Sequence, residues 1–195
     1  MFRHFILLLI FLFSACQDTK PRAKGGSNEI IVISSKGDKS AIESILSTIL
    51  SDTLFTPQPE PYFKIIWVEP ERFRDVKNYV NVIIGAIGNY PSNNGSKLIK
   101  NILSDSQYNS TMSGDNHLIL SKDIYARDQN FLIINGPTYE KIYNLSEEQG
   151  PWLKKQFDEL FIKRQSAYLF DESTLQKELQ DKLINNYGWN IKIPW

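Results

Sequence analysis

The sequence predicts a mixed fold of the α+β class, and three observations support this. Runs of β-branched residues with strand length alternate with segments whose apolar residues recur every three or four positions. Over residues 29–135 the elements follow the order strand, helix, strand, strand, helix, strand. This is the order of the split β-α-β unit in ferredoxin-like sandwiches, so we expect such a sandwich. Because element order does not fix strand pairing, other α+β arrangements remain open.

The first predicted strand and helix lie in residues 29–52. Residues 29–34, Glu-Ile-Ile-Val-Ile-Ser, form a β-branched run of strand length. Ser40 and Glu43 have the spacing of a capping box, which predicts the start of a helix that ends near Asp52. Its apolar stripe comprises Ile42, Ile45, Leu46, Ile49 and Leu50.

The middle of the chain continues this pattern. Alternate prolines in residues 57–61 exclude a helix there. Two strands follow, joined by a short charged connector, and then a short helix and a polar loop that runs through Asp115. An edge strand and a buried strand complete the predicted sandwich. In order, the predicted ranges are strands 62–68 and 79–87, helix 96–103, and strands 117–121 and 130–135.

The last third predicts a C-terminal helical pair and a short terminal strand. Pro151 suits the first turn of a helix that runs to about Tyr168. Residues 173–176 offer another capping box, and Gly188 suits a helix C-cap. We expect the two helices to pack as a hairpin over the sheet. Residues 189–195 alternate as at the beginning of a strand.

The first sixteen residues have the features of a secretory signal. Arg3 precedes a nine-residue apolar run, residues 5–13, and Ser14 and Ala15 are small residues before Cys16. The run is too short for a transmembrane helix, which needs about 20 residues. We therefore predict a signal peptide in residues 1–15.

A cysteine in this position resembles the acylation site of bacterial lipoproteins. The resemblance implies cleavage between Ala15 and Cys16 and attachment of lipid, including palmitate, to Cys16. Residues 17–28 are polar and contain Pro and Gly, so we predict that residues 16–28 are a lipidated cysteine with a flexible tether. The remaining residues, 29–195, are predicted to form a single domain. The expected location is the bacterial cell envelope, at the outer membrane.

Composition excludes several functions. Cys16 is the only cysteine, so once it is acylated the domain has no thiol for a disulfide, a metal site or a nucleophile. The chain has 22 basic and 22 acidic residues, and Arg3 is the only charged residue of residues 1–15. The remainder carries 21 basic and 22 acidic residues, which argues against a nucleic-acid partner.

The residues give weak support for catalysis. Outside the leader the only histidine is His117, near Asp115, and we interpret it as a loop or edge residue rather than a general base. No Gly-x-Ser-x-Gly motif accompanies it. The glycine-rich stretch in residues 85–97 lacks the spacing of a phosphate-binding loop. We therefore predict no catalytic, cofactor-binding or metal-binding residue.

Carboxylates remain available for hydrolysis by an acidic pair, but no spacing identifies such a pair. The available residues are Glu60, Glu69, Glu71, Asp123 and Asp128. The most polar and aromatic cluster is the surface group Asp123, Tyr125, Arg127 and Gln129. We interpret this cluster as a loop held by local hydrogen bonds rather than as a functional site.

Short segments along the chain resemble an uncharacterised lipoprotein family of Bacteroidota that is classed as a domain of unknown function. The matching segments are Cys16, Lys20-Pro21, Gly25, residues 29–33, residues 57–63, Phe73, Lys77-Asn78, residues 123–129 and Ile193-Pro194. The resemblance covers the N-terminal portion of that family only. Lys77 stands where the family has arginine. The family implies no activity, and the lipidated Cys16 is the one functional residue it supplies.

These observations favour a membrane-anchored envelope lipoprotein whose domain binds a partner or ligand without catalysis. The expected partners are the membrane, through the lipid, and an envelope protein or glycan. Two alternatives stay open. One is an envelope hydrolase that acts through carboxylates or His117 as a lone base, and the other is a truncated copy of a longer lipoprotein.

Overall fold

The computed structural model describes residues 20–54, 57–114 and 116–194. The predictions for the signal peptide, Ala15, Cys16, Asp115 and Trp195 lie outside these residues. Within them, the mixed α and β class predicted from the sequence is confirmed.

Five strands form the central sheet, in the order β4-β1-β5-β7-β6. All adjacent pairs are parallel except β6 and β7. Two further strands, β2 and β3, make a small antiparallel pair outside the sheet. The strands are β1 (Glu29–Ser34), β2 (Thr53–Leu54), β3 (Glu60–Pro61), β4 (Lys64–Val68), β5 (Asn81–Ile87), β6 (Leu118–Lys122) and β7 (Asn130–Gly136).

Helices cover both faces of the sheet. One face packs against α1 and α5, and the other packs against α2, α3 and α4. The helices are α1 (Lys39–Leu50), α2 (Phe73–Val76), α3 (Asn94–Ile102), α4 (Asp105–Ser113), α5 (Tyr139–Leu169) and α6 (Lys177–Tyr187). Alternate residues of β1 enter the two cores, with Ile30 and Val32 on the α1 face and Ile31 and Ile33 on the other.

The strand pairing and layers differ from the ferredoxin-like sandwich expected above. That fold places both helices on one face, whereas here α1 and α3 lie on opposite faces. After β4, the chain crosses the face of the sheet that carries α2. It then returns as β5, which pairs with β1 in parallel on the side opposite β4. Continuous burial of β5 and β7 accompanies this arrangement, because parallel strands are covered on both faces.

Several element boundaries also differ from prediction. Helix α1 has Asp38 as its N-cap, without a side-chain capping bond, so the predicted box at Ser40 does not form. The predicted polar loop contains α4, which a capping box of Ser104 and Gln107 opens. Pro151 lies inside the 31-residue α5 rather than at a helix start.

The C-terminal segment is less integrated than predicted. No residue of α6 is buried, which contradicts a hairpin that packs over the sheet. The box predicted in residues 173–176 is wrong, because α6 begins at Lys177 without a side-chain cap. Gly188 does end α6, with φ +71°, as predicted. In place of a terminal strand, Pro194 makes an isolated bridge with Leu175.

Residues 20–28 lie on the domain, in contrast to the flexible tether predicted for residues 16–28. The Ala23 amide donates to the Arg127 carbonyl at 2.9 Å, and the Lys24 amide donates to the Asn78 carbonyl at 2.9 Å. Ala23 is buried in a small cluster with Val80 and Ala126. Backbone hydrogen bonds hold this segment, which is why its polar composition did not reveal it. It docks where β5 and β7 begin, which we call the amino edge of the sheet.

Candidate functional site at the carboxyl edge of the sheet

The surface cluster predicted in residues 123–129 is the loop between β6 and β7, at the amino edge. Gln129, its central residue, is buried, with 1% of its surface exposed. Its side-chain amide donates to the carbonyls of Lys77 and Tyr79, each at 2.7 Å, and its side-chain oxygen accepts from the Tyr125 amide at 2.9 Å. Gln129 therefore ties this loop to the segment that leads into β5.

The other members of the cluster also shape the loop. Asp123 has φ +56° and accepts from the Gln129 amide at 3.1 Å. The Tyr125 ring packs edge-on against Phe73 and Phe131, and burial raises the pKa of its hydroxyl. The Arg127 amide donates to the backbone carbonyl of Pro21 at 2.8 Å. The structure thus brings the four predicted residues together as a loop held by local hydrogen bonds.

Asp128 lies in the same loop and forms an ion pair with α5. Lys163 Nζ lies 2.5 Å from Asp128 Oδ1. The hydrogen bond from Lys163 lowers the pKa of Asp128, and burial partly opposes it. The neighbouring Arg164 is half-buried, and burial is the main cause of its lowered pKa.

His117 has a structural position. The residue is buried, and its Nδ1 lies 2.8 Å from the Thr111 carbonyl oxygen. Its backbone carbonyl accepts from the Asn135 amide at 2.9 Å. Among the described residues, the ring of His117 is bonded to the Thr111 carbonyl and to no serine hydroxyl, whereas the hydrolase alternative requires a serine hydroxyl beside a His117 base.

The five carboxylates considered for an acidic pair lie at three places, and Asp123 and Asp128 line the same cavity at the amino edge. Glu60 is exposed in β3, and Asp123 and Asp128 lie in the amino-edge loop. Glu69 and Glu71 follow β4, where Glu69 lies 3.1 Å from Lys36 Nζ and Glu71 accepts from Asn94 at 2.5 Å. Each of these last two carboxylates has a partner other than a second carboxylate.

The strand order changes direction within the sheet, which makes the carboxyl ends of the strands, opposite the amino edge, a candidate binding region. After β1 the chain turns to β4 on one side, and β5 and β7 then extend the sheet on the other side. The strand order therefore reverses at β1 and β5. In open α/β sheets, ligands bind at the carboxyl ends of the strands at such a switch point.

A polar network joins the loops that follow β1 and β5. Asn93 donates to Asp38 at 2.6 Å and accepts from the Ser35 hydroxyl at 2.8 Å. The Ser35 oxygen also accepts from the Gly95 amide at 3.0 Å. Asn93 Oδ1 caps α3 by accepting from the Ser96 amide at 3.1 Å. These contacts hold the start of α1 against the start of α3.

A cavity of about 150 Å³ lies beside this network, where β1 and β4 end. We call it the carboxyl-edge cavity, and its lining residues are Ser34, Lys36, Lys39, Trp67, Val68 and Glu69. The Lys39 ammonium lies 5.2 Å from the centre of the Trp67 ring, within the range of a cation-π contact. The volume is enough for several water molecules or one small ligand.

Ser34 stands out in this lining. It has 5% of its surface exposed, and its hydroxyl has no hydrogen-bond partner among the described residues. Side chains alternate along a strand, so Ser34 points to the same face as Val32, the face that carries α1 and Trp67. A buried hydroxyl without a partner costs about 1–3 kcal/mol, and Ser34 belongs to the cavity lining, so a ligand that reached this hydroxyl would offset that cost.

The sequence contains a signal for this site that the prediction above did not use. Residues 34–40, Ser-Ser-Lys-Gly-Asp-Lys-Ser, follow a buried strand and open a helix. A polar, glycine-containing turn at that junction is the usual place for ligand contacts in parallel sheets. The ferredoxin-like expectation placed no site there.

Exposed apolar side chains concentrate in the C-terminal part of the chain. Trp152 on α5 has 51% of its surface exposed. The others between residues 160 and 194 are Ile162, Tyr168, Leu169, Phe170, Leu179, Ile184, Tyr187, Trp189 and Ile191. They lie away from the carboxyl-edge cavity in sequence and contribute nothing to its lining.

Comparison with known proteins places the chain in a family. A family model described as a domain of unknown function (DUF8532) matches residues 23–169. The chain belongs to this family. The match begins at the docked residue Ala23 and ends with α5, so the DUF8532 domain contains the whole sheet and excludes α6. No curated protein and no solved structure matches the chain.

Two features are absent from the part of the DUF8532 chain that the structure describes. In residues 20–54, 57–114 and 116–194, no helix has the length and apolarity needed to cross a bilayer. In the same described residues, His, Cys, Asp and Glu side chains form no group of three or more that could hold a metal ion.

Proposed function

We propose that this DUF8532 protein is a lipid-anchored envelope lipoprotein of the Bacteroidota type that binds a small ligand, without catalysis, at the carboxyl-edge cavity. Cys16 carries the lipid, and the bacterial outer membrane holds the protein. The docking of residues 20–24 at the amino edge is the observation that carries the proposal, because it relates the anchor to the binding site.

The distance between the anchor and the domain is limited by the chain. Three residues lie between Cys16 and Lys20, and the four Cα–Cα steps from one to the other span at most about 14 Å when fully extended. Lys20 Nζ donates to the Asp123 carbonyl at 2.9 Å, at the amino edge. An acylated Cys16 would therefore hold the amino edge near the membrane and turn the carboxyl edge away from it.

Charge at the amino edge agrees with this orientation. Arg22, Lys24 and Arg127 are exposed there, whereas Lys163 on the adjacent part of α5 is paired with Asp128. Basic side chains near a membrane surface are attracted to anionic headgroups by about 1 kcal/mol each. The carboxyl-edge cavity would then face the aqueous compartment, where a small ligand can reach it.

Metabolic labelling tests the anchor. Cells that express the full chain receive an alkyne analogue of palmitate, and the Cys16→Ala variant is the control. We expect label on the unmutated protein and none on the variant. An unlabelled wild-type protein would overturn the anchor.

Fluorescence quenching in liposomes tests the orientation. Lys122→Cys places a thiol at the amino edge, and Lys36→Cys places one at the carboxyl edge. Each thiol carries the same fluorophore, and the liposomes contain nitroxide-labelled lipid. We expect strong quenching at position 122 and weak quenching at position 36. The reverse order would overturn the orientation.

Mass spectrometry of molecules that co-purify with the detergent-solubilised full chain tests ligand binding. Lys39→Glu alters the cavity lining, and Lys64→Glu makes the same charge change at the opposite end of β4. We expect a small molecule that the wild type and Lys64→Glu retain and Lys39→Glu loses. Equal retention by all three proteins would place the ligand elsewhere.

A further inference from the structure

We propose that the carboxyl-edge cavity binds a phosphate group, either free phosphate or a small phosphate monoester. The proposal rests on the ligand-binding function above and adds the chemical class of the ligand. Three features of the cavity carry it: its ammonium groups, the buried hydroxyl of Ser34, and the start of α1.

The donors around the cavity exceed the acceptors. Lys36 and Lys39 supply ammonium groups, and Ser34 supplies a buried hydroxyl without a partner. Glu69 is the one acidic residue of the lining, and its carboxylate accepts from Lys36 across an exposed ion pair. Exposed pairs of this kind contribute about 0–1 kcal/mol, so a ligand can replace Glu69 at Lys36.

The start of α1 adds further donors. The amides of Asp38 and Lys39 already donate to the carbonyls of Ser35 and Lys36, so the donors that α1 offers are the next amides of its first turn, which lack intrahelical partners. The helix dipole gives this end a partial positive charge. Asp38 occupies the N-cap but makes no side-chain capping bond to α1. Its carboxylate instead accepts from Asn93 at 2.6 Å and from the Ile87 amide at 3.3 Å. Asp38 is therefore bonded to Asn93 and Ile87, and its carboxylate does not cap the amides of α1.

The arrangement suits a phosphate group better than a neutral ligand. Phosphate carries several acceptor oxygens, and the ammonium groups, the hydroxyl and the helix amides are all donors. The cavity volume of about 150 Å³ admits one such group. Trp67 forms its apolar wall, where an ester substituent could lie.

The experiment follows the fluorine NMR signal of 5-fluorotryptophan at position 67 in the full acylated chain in detergent micelles. Trp67→Phe identifies the signal. Inorganic phosphate is titrated at constant ionic strength, and we expect a saturable shift of the Trp67 signal. Phosphatidylglycerol vesicles form a separate arm, because a lipid headgroup carries the same chemistry. A response to vesicles without a response to phosphate would assign the site to membrane phosphate and overturn the free ligand.

Charge variants test how the phosphate is held. Lys39→Gln and Lys36→Gln are each expected to weaken phosphate binding about fivefold, the effect of one unit charge at close range in water. Glu69→Gln is expected to strengthen binding by a similar factor. Lys64→Gln, with the same charge change on the far end of β4, is expected to leave it unchanged. Equal weakening by Lys64→Gln and Lys39→Gln would indicate only a general ionic effect and overturn the site.

Ser34→Ala separates binding from stability. Because no residue that the structure describes pairs with the Ser34 hydroxyl, its removal is expected to maintain or raise resistance to urea while it weakens phosphate binding several-fold. Unchanged phosphate affinity in this variant would remove Ser34 from the site.

The two proposals fail in different ways. If the Trp67 signal shows no saturable response to phosphate, the phosphate inference is wrong. If a neutral molecule still co-purifies with the wild type and is lost in Lys39→Glu, the ligand-binding proposal stands without it. If nothing co-purifies and phosphate does not bind, both are wrong.

Discussion

The backbone amide of Ala23 donates a 2.9 Å hydrogen bond to the carbonyl of Arg127. This bond joins residues 20–24 to the loop between β6 and β7. It places the start of the DUF8532 domain at the amino edge, at the opposite end of the strands from the carboxyl-edge cavity. The proposed anchor and the proposed ligand would therefore act at opposite ends of the same strands.

Gln129 is expected to be essential for the amino edge. Gln129→Ala leaves the carbonyls of Lys77 and Tyr79 without their buried donor, so we expect a loss of about 2–4 kcal/mol in the free energy of unfolding. Urea denaturation measures this loss. The control is Gln180→Ala, whose side chain bonds to Asn190 at an exposed position, and we expect it to change stability by less than about 0.5 kcal/mol. Similar losses in the two variants would contradict the role of Gln129.

The close approach of α1 to β5 requires glycine at position 85. A Cβ atom there would lie 2.7 Å from Ile42 Cδ1, inside the core. We expect Gly85→Ala to cost about 1–3 kcal/mol through overpacking, as measured by urea denaturation. Gly37→Ala is the matched control, because a Cβ atom there meets nothing within 4 Å. A neutral Gly85→Ala would show that α1 moves away at little cost.

Ser35 and Asn93 are expected to act as one unit. The Ser35 hydroxyl binds Asn93, while each residue also accepts from an amide in the first turn of α3. Ser35→Ala and Asn93→Ala should each destabilise the protein by about 1–2 kcal/mol. The double variant should lose less than the two single losses combined, by about 0.5–1.5 kcal/mol. Strict additivity in a double-mutant cycle would contradict the network.

The ion pair of Asp128 and Lys163 predicts a specific pH dependence. The folded-state pKa of Asp128 is lowered, so its contribution to stability is present above its unfolded pKa of about 3.9 and is lost as the pH falls through the folded value. Lys163 is largely exposed, so the contribution should be about 0–1 kcal/mol. We expect Lys163→Gln to be less stable than the wild type near neutral pH.

Acid removes the difference between these two proteins. Once Asp128 is protonated, the stabilities of Lys163→Gln and the wild type should converge. Asp128→Asn is the control, because asparagine tolerates the positive φ of +57° at this position. Its stability should respond little to Lys163→Gln at any pH. A difference that persists in acid would indicate that Lys163 stabilises the protein through packing instead.

The sequence predicted the buried strands better than their arrangement. The predicted bounds of β1, residues 29–34, agree with the structure. A strand that is buried on two faces is continuously apolar, so its ends are easy to recognise in the sequence. Helix α4 was missed because only Tyr108 and Thr111 are buried, so it has no apolar stripe. Its capping box at Ser104 and Gln107 was a usable local signal.

The site was harder to predict than the strands. The carboxyl-edge cavity exists because β4 and β5 flank β1, and strand pairing depends on crossovers that local sequence does not encode. The docking of Ala23 depends on backbone groups, which composition does not reveal. In the loop around Gln129, hydrogen bonds to Tyr125 and Asp123 hold the backbone, and Asp123 and Asp128 both adopt positive φ.

The segment beyond the family match is expected to be dispensable for folding. No residue of α6 is buried, and the bridge from Leu175 to Pro194 joins the segment to itself. Leu175 is buried, but it belongs to none of the apolar clusters found in the described residues. Removal of residues 171–195 should therefore change the free energy of unfolding by less than about 1 kcal/mol, in urea denaturation followed by circular dichroism. Removal from residue 157 onward should unfold the protein, because Phe157 is fully buried against the sheet. A shorter chain that unfolds without residues 171–195 would show that α6 stabilises the domain despite its exposure.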